Sequence, residues 1–149
     1  MKTTATPRVT RAGGASALLG AGLVVAALGA VAVAIGALVS GSAAAYGALV
    51  GTLMVLAVLG LGSMVVSVIA GAMPTAALLV ALLTYTLQVV LMGLLFAVLA
   101  ESGALDSALD AGWLGGTVIV GTLLWLTIQI VLTTRLRIPV YDLPEAGER

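Results

Sequence analysis

A chain of 149 residues that is 62% hydrophobic and 8% charged lacks the polar surface of a water-soluble domain, in which about a quarter of residues are charged. The composition therefore predicts an integral membrane protein that contacts the lipid bilayer. A net charge of +0 excludes the basic surface of a nucleic-acid-binding protein. With no cysteine and no histidine, the chain lacks thiol chemistry, disulfides, the common zinc sites and the usual general base, and we expect no cofactor.

Charged residues are confined to the chain ends and one internal stretch, and residues 12–100 carry none. A helix needs about 20 apolar residues to cross a bilayer, so this uncharged run suits three spans, and a fourth follows it. The sequence predicts an all-α membrane protein with a bundle of four transmembrane helices. We predict a flexible basic arm, a four-span domain and a short tail at residues 1–17, 18–134 and 135–149, with spans at 18–40, 44–70, 75–100 and 114–134.

Glycines in the first two spans follow a helix-packing pattern. Gly22, Gly29 and Gly36 recur every seven residues, close to two helical turns, so they share one face of the first span. Gly47 and Gly51 form a GxxxG pattern in the second span. Glycine faces allow another helix backbone to approach closely, so we predict packing of a partner helix here. The simpler interpretation is that glycine is common in membrane spans.

The first span also has a signal-peptide alternative, because residues 43–45 are alanines that resemble a cleavage site. Signal peptides have apolar cores of about 7–15 residues. The apolar core here is longer than that range, which favours a retained span.

Polar side chains interrupt the middle of the third span. Thr84, Tyr85 and Gln88 lie on adjoining parts of one helix face. Polar groups at this depth are costly unless other groups satisfy them, so the third span is expected to have partners. One interpretation is a surface that binds another helix or lines a path. The simpler one is a hydrogen-bonded clasp to a neighbouring span of the same chain.

An acidic stretch separates the third and fourth spans and contains Glu101, Asp106 and Asp110. These carboxylates are weak candidates for a Mg²⁺ or Ca²⁺ site, and a solvated acidic loop is the simpler interpretation. In the fourth span a stripe of small, polar and aromatic residues steps by four, and we expect it to face the third span. Its members are Thr117, Gly121, Trp125, Gln129 and Thr133.

The cations predict the orientation of the chain. Lys2, Arg8 and Arg11 precede the first span, and Arg135 and Arg137 follow the fourth. By the positive-inside rule both termini are expected in the cytoplasm, with the acidic stretch outside. Cations at both ends put the two termini on the same side of the membrane, which requires an even number of spans, and the predicted count of four is even. A location in a cell membrane follows from this prediction, and the family resemblance described below implies the bacterial cytoplasmic membrane.

Ionisable residues are absent from all four predicted spans, apart from tyrosine. A rotor subunit of an ATP synthase and a small multidrug exporter each need a carboxylate inside the membrane, so both classes are excluded. The chain also has no Ser/His/Asp set and no phosphate-binding loop. We therefore expect a partner-binding protein that is not an enzyme.

Spans three and four resemble the actinobacterial form of ATP synthase protein I, a small membrane protein often encoded beside the ATP synthase subunits. The resemblance covers residues 44–144. It rests on Thr-Tyr-x-x-Gln at residues 84–88, the acidic loop, Gly-Thr-Leu-x-Trp at residues 121–125, Gln129, and a tail that is first basic and then proline-containing. The first two spans match through their small-residue connection and the glycines at 47 and 51.

The resemblance implies a four-helix bundle that helps to assemble the c-subunit ring of the F-type ATP synthase. Its expected partners are the c subunits and secondarily the a subunit, bound through the glycine faces. The alternative is a small ion transporter or channel subunit, with magnesium as the ion that the family indicates. A homo-oligomer is left open. A third interpretation is a structural membrane protein whose polar residues only hold its own bundle together.

Overall fold

The computed structural model describes residues 12–72 and 74–135 of the chain. Within these residues the backbone is helical apart from short links, and no strand occurs. The elements are α1 (Ala12–Val39), α2 (Ser42–Ala72), a 3-10 turn (Pro74–Ala76), α3 (Ala77–Glu101), α4 (Ala104–Ser107) and α5 (Ala111–Arg135). Helices α1, α2, α3 and α5 are long and apolar enough to cross a membrane, which confirms the predicted all-α fold with four candidate spans.

The helices extend beyond several predicted boundaries. Helix α1 begins at Ala12, so residues 12–17 are helical although a flexible arm was predicted there. Each residue added to an existing helix gains a hydrogen bond, so an apolar span readily extends into the small residues before it. Residues 1–11 and 136–149, with the rest of the predicted arm and tail, lie outside the described part of the chain.

Short links make consecutive long helices antiparallel. Ser40 and Gly41 join α1 to α2, and Gly41 has a φ of 86°, a left-handed conformation that glycine adopts without steric cost. Pro74 opens the 3-10 turn before α3. Proline suits such a position because its missing N–H is not needed in a first helical turn.

Helix α2 lies at the centre of the bundle, in contact with α1, α3 and α5, while α1 also contacts α5. Gly36 of α1 lies against Ala44, and Gly29 lies against Thr52, so α1 and α2 run antiparallel. We call the end of the bundle that holds the α1–α2 link the loop end. The opposite end, where α1 begins and α5 ends, is the terminal end.

Helices α2 and α5 run parallel, and glycines of α2 face the backbone of α5. A β-carbon at Gly47 would lie 2.6 Å from the Asp110 carbonyl oxygen, and one at Gly51 would lie 2.8 Å from the Leu114 carbonyl oxygen. These distances are shorter than van der Waals contact. The two backbones therefore approach this closely only because the glycines have no side chains.

The buried core is small and is shared by α1, α2 and α5. Its cluster consists of Ala21, Val25, Val55, Val118 and Trp125. Trp125 is 4% exposed and lies beside Gly60 of α2, where a β-carbon would be 3.9 Å from the indole. Met92 and Phe96 of α3 pack against the same cluster. The indole thus fills the space that a glycine leaves on the facing helix.

Helix α3 is buried less than the other long helices. None of its described side chains is buried, and α2 is the long helix that it contacts most. Most of its apolar surface is therefore available to lipid or to another protein.

We predict that Gly51→Ala lowers the stability of the bundle by about 1–3 kcal/mol, because the new methyl group would push α2 away from the α5 backbone. Gly93→Ala is the matched control, since a β-carbon at Gly93 meets nothing within 4 Å. Thermal unfolding in mild detergent checks both variants. Equal melting temperatures for the two would contradict the close α2–α5 contact.

Candidate functional site

Three polar side chains of α3 have no hydrogen-bond partner within the described residues: those of Thr84, Tyr85 and Gln88. Tyr85 is 65% exposed, whereas Thr84 and Gln88 are half-buried. The neighbouring Thr86 differs from them because its hydroxyl donates to the Leu82 carbonyl oxygen at 3.0 Å. The helix itself therefore satisfies Thr86, while the other three side chains remain unpaired. We call these three residues the α3 polar face.

The α3 polar face borders the seam between α3 and α2. The amide of Gln88 lies directly against Gly62, so closely that a side chain at position 62 would displace it. Gly62 therefore makes room for a polar group in an apolar span. Tyr85 lies farther from the seam, on the outside of the bundle. A partner that contacts Tyr85 thus approaches from outside the described bundle.

An unpaired polar group in hydrocarbon is energetically unfavourable. Transfer of an amide or hydroxyl to an apolar environment without a hydrogen bond costs about 2–7 kcal/mol, depending on the reference state. A side-chain hydrogen bond between membrane helices returns about 0.6–2 kcal/mol. The α3 polar face therefore favours association with a molecule that offers polar groups at the same depth.

Trp125 and Gln129 of the α5 stripe each have contacts of their own. Trp125 belongs to the buried core, so it does not share a site with the outward-facing Tyr85. Gln129 is half-buried and has an interaction of its own. The side chain of Thr133 lies outside the described part of the structure.

The expectation that the α5 stripe faces α3 was wrong. Thr117 lies beside Gly51, Gly121 lies against Val55, and both contacted residues belong to α2. Helices that are adjacent in sequence usually pack together, which made α3 the expected neighbour. The glycines of α2 allow closer contact with α5, and that contact sets the position of the stripe.

The five glycines predicted to pack a partner helix divide into two groups. Gly29, Gly36, Gly47 and Gly51 all lie against helices or loops of the same chain. They therefore form the packing of this bundle and present no free surface to another protein. Gly22 differs, since a β-carbon there would meet nothing within 4 Å.

Gly22 lies in an apolar groove that is lined by α1 and α2 toward the terminal end. The groove has a volume of about 990 Å³. We call it the α1–α2 groove; its floor and walls are formed by Leu18, Leu19, Gly22, Leu23, Leu56, Gly60, Met64, Ser67, Val68 and Trp125. The sequence contained no signal for this groove, because a groove depends on how the side chains of separate helices pack together.

The acidic stretch fastens the loop end of the bundle. The Asp110 carboxylate accepts a hydrogen bond from the Trp113 N–H at 2.9 Å and so caps α5. The Asp110 backbone N–H donates to the Ala43 carbonyl oxygen at 3.0 Å, and the Trp113 indole N–H donates to the Ser40 hydroxyl at 3.2 Å. The first bond joins the start of α5 to the first turn of α2, and the second joins it to the α1–α2 link.

The structure does not bring the three acidic candidates together. In residues 12–72 and 74–135, no group of three or more His, Cys, Asp or Glu side chains is placed to hold a metal ion. Asp106 lies in the short helix α4 and is exposed, as is Glu101. The role that the geometry assigns to Asp110 is that of a helix cap.

Within the described residues the fold is an all-helical bundle with four helices long and apolar enough to cross a membrane, and α3 carries polar side chains without a hydrogen-bond partner. Comparison of the chain with protein-family models, with curated proteins and with solved structures gave no match.

We predict that Asp110→Ala lowers the stability by about 0.5–2 kcal/mol, because the first turn of α5 loses its cap. Asp106→Ala removes the same charge from an exposed site and should change stability by less than about 0.5 kcal/mol. Unfolding followed by circular dichroism measures both effects. If the two variants were equally destabilised, charge rather than capping would be responsible.

Proposed function

We propose that this chain is an accessory protein of the F-type ATP synthase membrane sector that binds c subunits through the α3 polar face. The a subunit is a second candidate partner. The observation that carries the proposal is the set of unpaired polar side chains on the least buried of the four long helices. The resemblance to ATP synthase protein I supplies the identity of the partner.

The chemistry of the partner suits this surface. The c subunit is the rotor subunit, which needs a carboxyl group inside its helix hairpin to carry protons. The Tyr85 hydroxyl and the Gln88 amide can each donate a hydrogen bond to such a carboxyl group. Polar and ionisable groups within a membrane pair with one another because lipid offers no alternative partner.

The glycine faces were expected to bind the c subunit, but this proposal assigns them to packing within the bundle. Gly47 and Gly51 contact α5 of the same chain, so a c-subunit helix does not have access to them. Their substitution would damage the bundle itself. The docking surface is therefore placed on α3, whose contacts within the chain leave most of its surface free.

The proposed location is the bacterial cytoplasmic membrane, with both termini in the cytoplasm. Arg11 comes directly before α1 in the sequence and Arg135 is the last residue of α5, and these two helix termini form the terminal end. The positive-inside rule supports a cytoplasmic position for that end. The acidic stretch at the loop end is then outside the cell.

An ion transporter is the alternative, and the positions of the polar residues support it less well. Gln88 faces Gly62 at the α2–α3 seam, whereas Tyr85 faces outward. Groups that point in different directions do not line a common path through the described bundle. Both side chains remain accessible to a protein that docks on α3.

We predict that Tyr85→Phe and Gln88→Met each reduce the c subunit recovered with the tagged protein by about three- to thirtyfold, the equivalent of one interhelical hydrogen bond. Both substitutions keep the size of the side chain. Affinity purification from native membranes in mild detergent, followed by quantitative mass spectrometry, measures the recovery.

Thr86→Val is the matched control, because the Thr86 hydroxyl already bonds to its own helix. It should leave the recovery unchanged. Should the unsubstituted protein recover no c or a subunit, the proposed partner is wrong. A flux of Mg²⁺ into proteoliposomes that is lost in Gln88→Met would support the transporter instead.

A further inference from the structure

The α3 polar face lies near the middle of its span. Gln88 is about 17 Å along the helix from Ala77, where α3 begins, and about 20 Å from Glu101, where it ends. A bilayer has a hydrocarbon core about 30 Å thick. When α3 crosses a membrane, a group that pairs with Gln88 therefore lies deep in hydrocarbon, where water offers no alternative hydrogen bond.

The acidic residues are remote from this depth. The ionisable residues within 12–72 and 74–135 are Tyr46, Tyr85, Glu101, Asp106, Asp110 and Arg135. All three carboxylates are at the loop end, because Glu101 ends α3 and the other two follow it. On α2, the long helix that α3 contacts most, Tyr46 is the one ionisable residue and lies about 24 Å along the helix from Gly62. Helix α1 and the 3-10 turn carry none.

The one cation among the described residues is also remote. Arg135 is the last residue of α5, about 15 Å along that helix from Trp125. The indole of Trp125 lies beside Gly60 of α2, close in sequence to Gly62, which contacts Gln88. An ionised group bound at the α3 polar face would therefore have no counter-ion at its own level in the described bundle.

The Gln88 carboxamide needs a hydrogen-bond donor as well as an acceptor. Its Nε2 atom lies nearest to the β-position of Gly62, followed by Cδ and Cγ. The Oε1 atom is farther from Gly62 than these three atoms, and no described residue donates a hydrogen bond to it. A partner that satisfies Gln88 must therefore carry a donor.

A neutral carboxyl group meets this need, whereas a carboxylate does not. A carboxylate only accepts hydrogen bonds, so it would leave the Gln88 Oε1 atom unpaired. A protonated carboxyl group donates its O–H to Oε1, and its carbonyl oxygen accepts from the Tyr85 hydroxyl. Hydrocarbon also disfavours a carboxylate far more strongly than a neutral carboxyl group. The missing counter-ion and the unpaired acceptor thus select the same state of the partner.

We propose that the α3 polar face recognises the neutral state of its partner's intramembrane carboxyl group, so that a c subunit binds when this group is protonated. The identity of the partner rests on the proposed function. Loss of the proton removes the donor to Oε1 of Gln88 and leaves a charge without a counter-ion, so the partner is released. Protonation of the partner thereby regulates the association.

A second copy of the chain offers a different neutral group, its own Gln88 carboxamide. Pairing of two carboxamides does not involve an ionisable group, so it does not vary with pH. A c subunit that binds through its carboxyl group gives a pH-dependent association. The pH profile therefore separates the two occupants.

The test mixes the purified full chain, carrying an affinity tag, with purified c subunit in nanodiscs at about pH 6 and about pH 9. We expect the recovered c subunit to fall by at least about tenfold at the higher pH, because the competent fraction falls about tenfold per pH unit above the pKa of the free carboxyl group. The matched partner variant replaces this carboxyl residue by its carboxamide. It is neutral at both pH values and should be recovered within about twofold at each.

A cation added to the α3 polar face should weaken the pH dependence. Tyr85 is 65% exposed, so Tyr85→Lys supplies a counter-ion without disturbing the bundle, and the fall in recovery should shrink to less than about threefold. Val90→Lys is the matched control, because Val90 is 61% exposed and lies on the opposite side of α3 from Gln88. It should retain the full pH dependence.

Equal recovery of the unsubstituted c subunit at both pH values would overturn this inference. Loss of the carboxamide variant at the lower pH would do the same, because that partner is neutral and carries both a donor and an acceptor. Recovery of a second copy of the chain in place of the c subunit, equal at both pH values, would identify the chain itself as the occupant and also contradict it.

Failure of the proposed function gives a different result. If the c subunit is not recovered at either pH, a transmembrane peptide of leucine and alanine with one central glutamate takes its place. Capture of this peptide at the lower pH alone would support recognition of a neutral carboxyl group and reject the c subunit as partner. Equal capture at both pH values, or none, would overturn the inference as well.

Discussion

The close approach of α2 to its neighbours is the contact on which the rest of the bundle depends. In a membrane the hydrophobic effect does not hold helices together, because lipid chains are as apolar as the side chains. Packing must therefore come from backbones that lie close to one another. Gly47 and Gly51 allow this on the α5 side, and Gly29 and Gly36 of α1 allow it on the other. Helix α2 is thus in close contact on two sides.

This arrangement separates the surface of the chain into regions with different chemistry. At the loop end, glycines allow the helices to pack closely, and the backbone hydrogen bond from Asp110 to Ala43 adds a polar contact. Toward the terminal end, residues of α1 and α2 line an apolar groove. Helix α3 retains polar groups that none of these contacts satisfies. The proposed binding surface on α3 is therefore one that the glycine packing leaves unused.

The sequence was sufficient to predict the four long helices, because each depends on local properties. Length and apolar composition identify a span, and Gly41 and Pro74 mark the links. The pairing of the helices was less predictable. A glycine such as Gly51 indicates that something approaches closely but does not identify the partner, and here the partner is α5, which is distant in sequence.

The groove and the outward position of Tyr85 were beyond prediction for the same reason. Gly22 continues the seven-residue pattern of Gly29 and Gly36, yet a β-carbon there would meet nothing within 4 Å, because Gly22 lines the open groove. Periodicity reports which residues share a face and does not report the angle between two helices. The polar residues of α3 were predicted to need partners. The structure shows that Thr86 is already satisfied by its own helix, whereas Thr84, Tyr85 and Gln88 have no partner within the described residues.

Because α2 and α5 run parallel, the chain needs α3 to connect the end of one to the start of the other. Two parallel spans begin on the same side of a membrane, so the chain that joins them must cross that membrane once more. Helix α3 is long and apolar enough for this crossing, and it returns the chain from the end of α2 to the loop end, where α5 begins. A chain that lacked α3 would insert α5 in the inverted orientation. Gly47 would then face the wrong end of α5, and the two backbones would have no matching register.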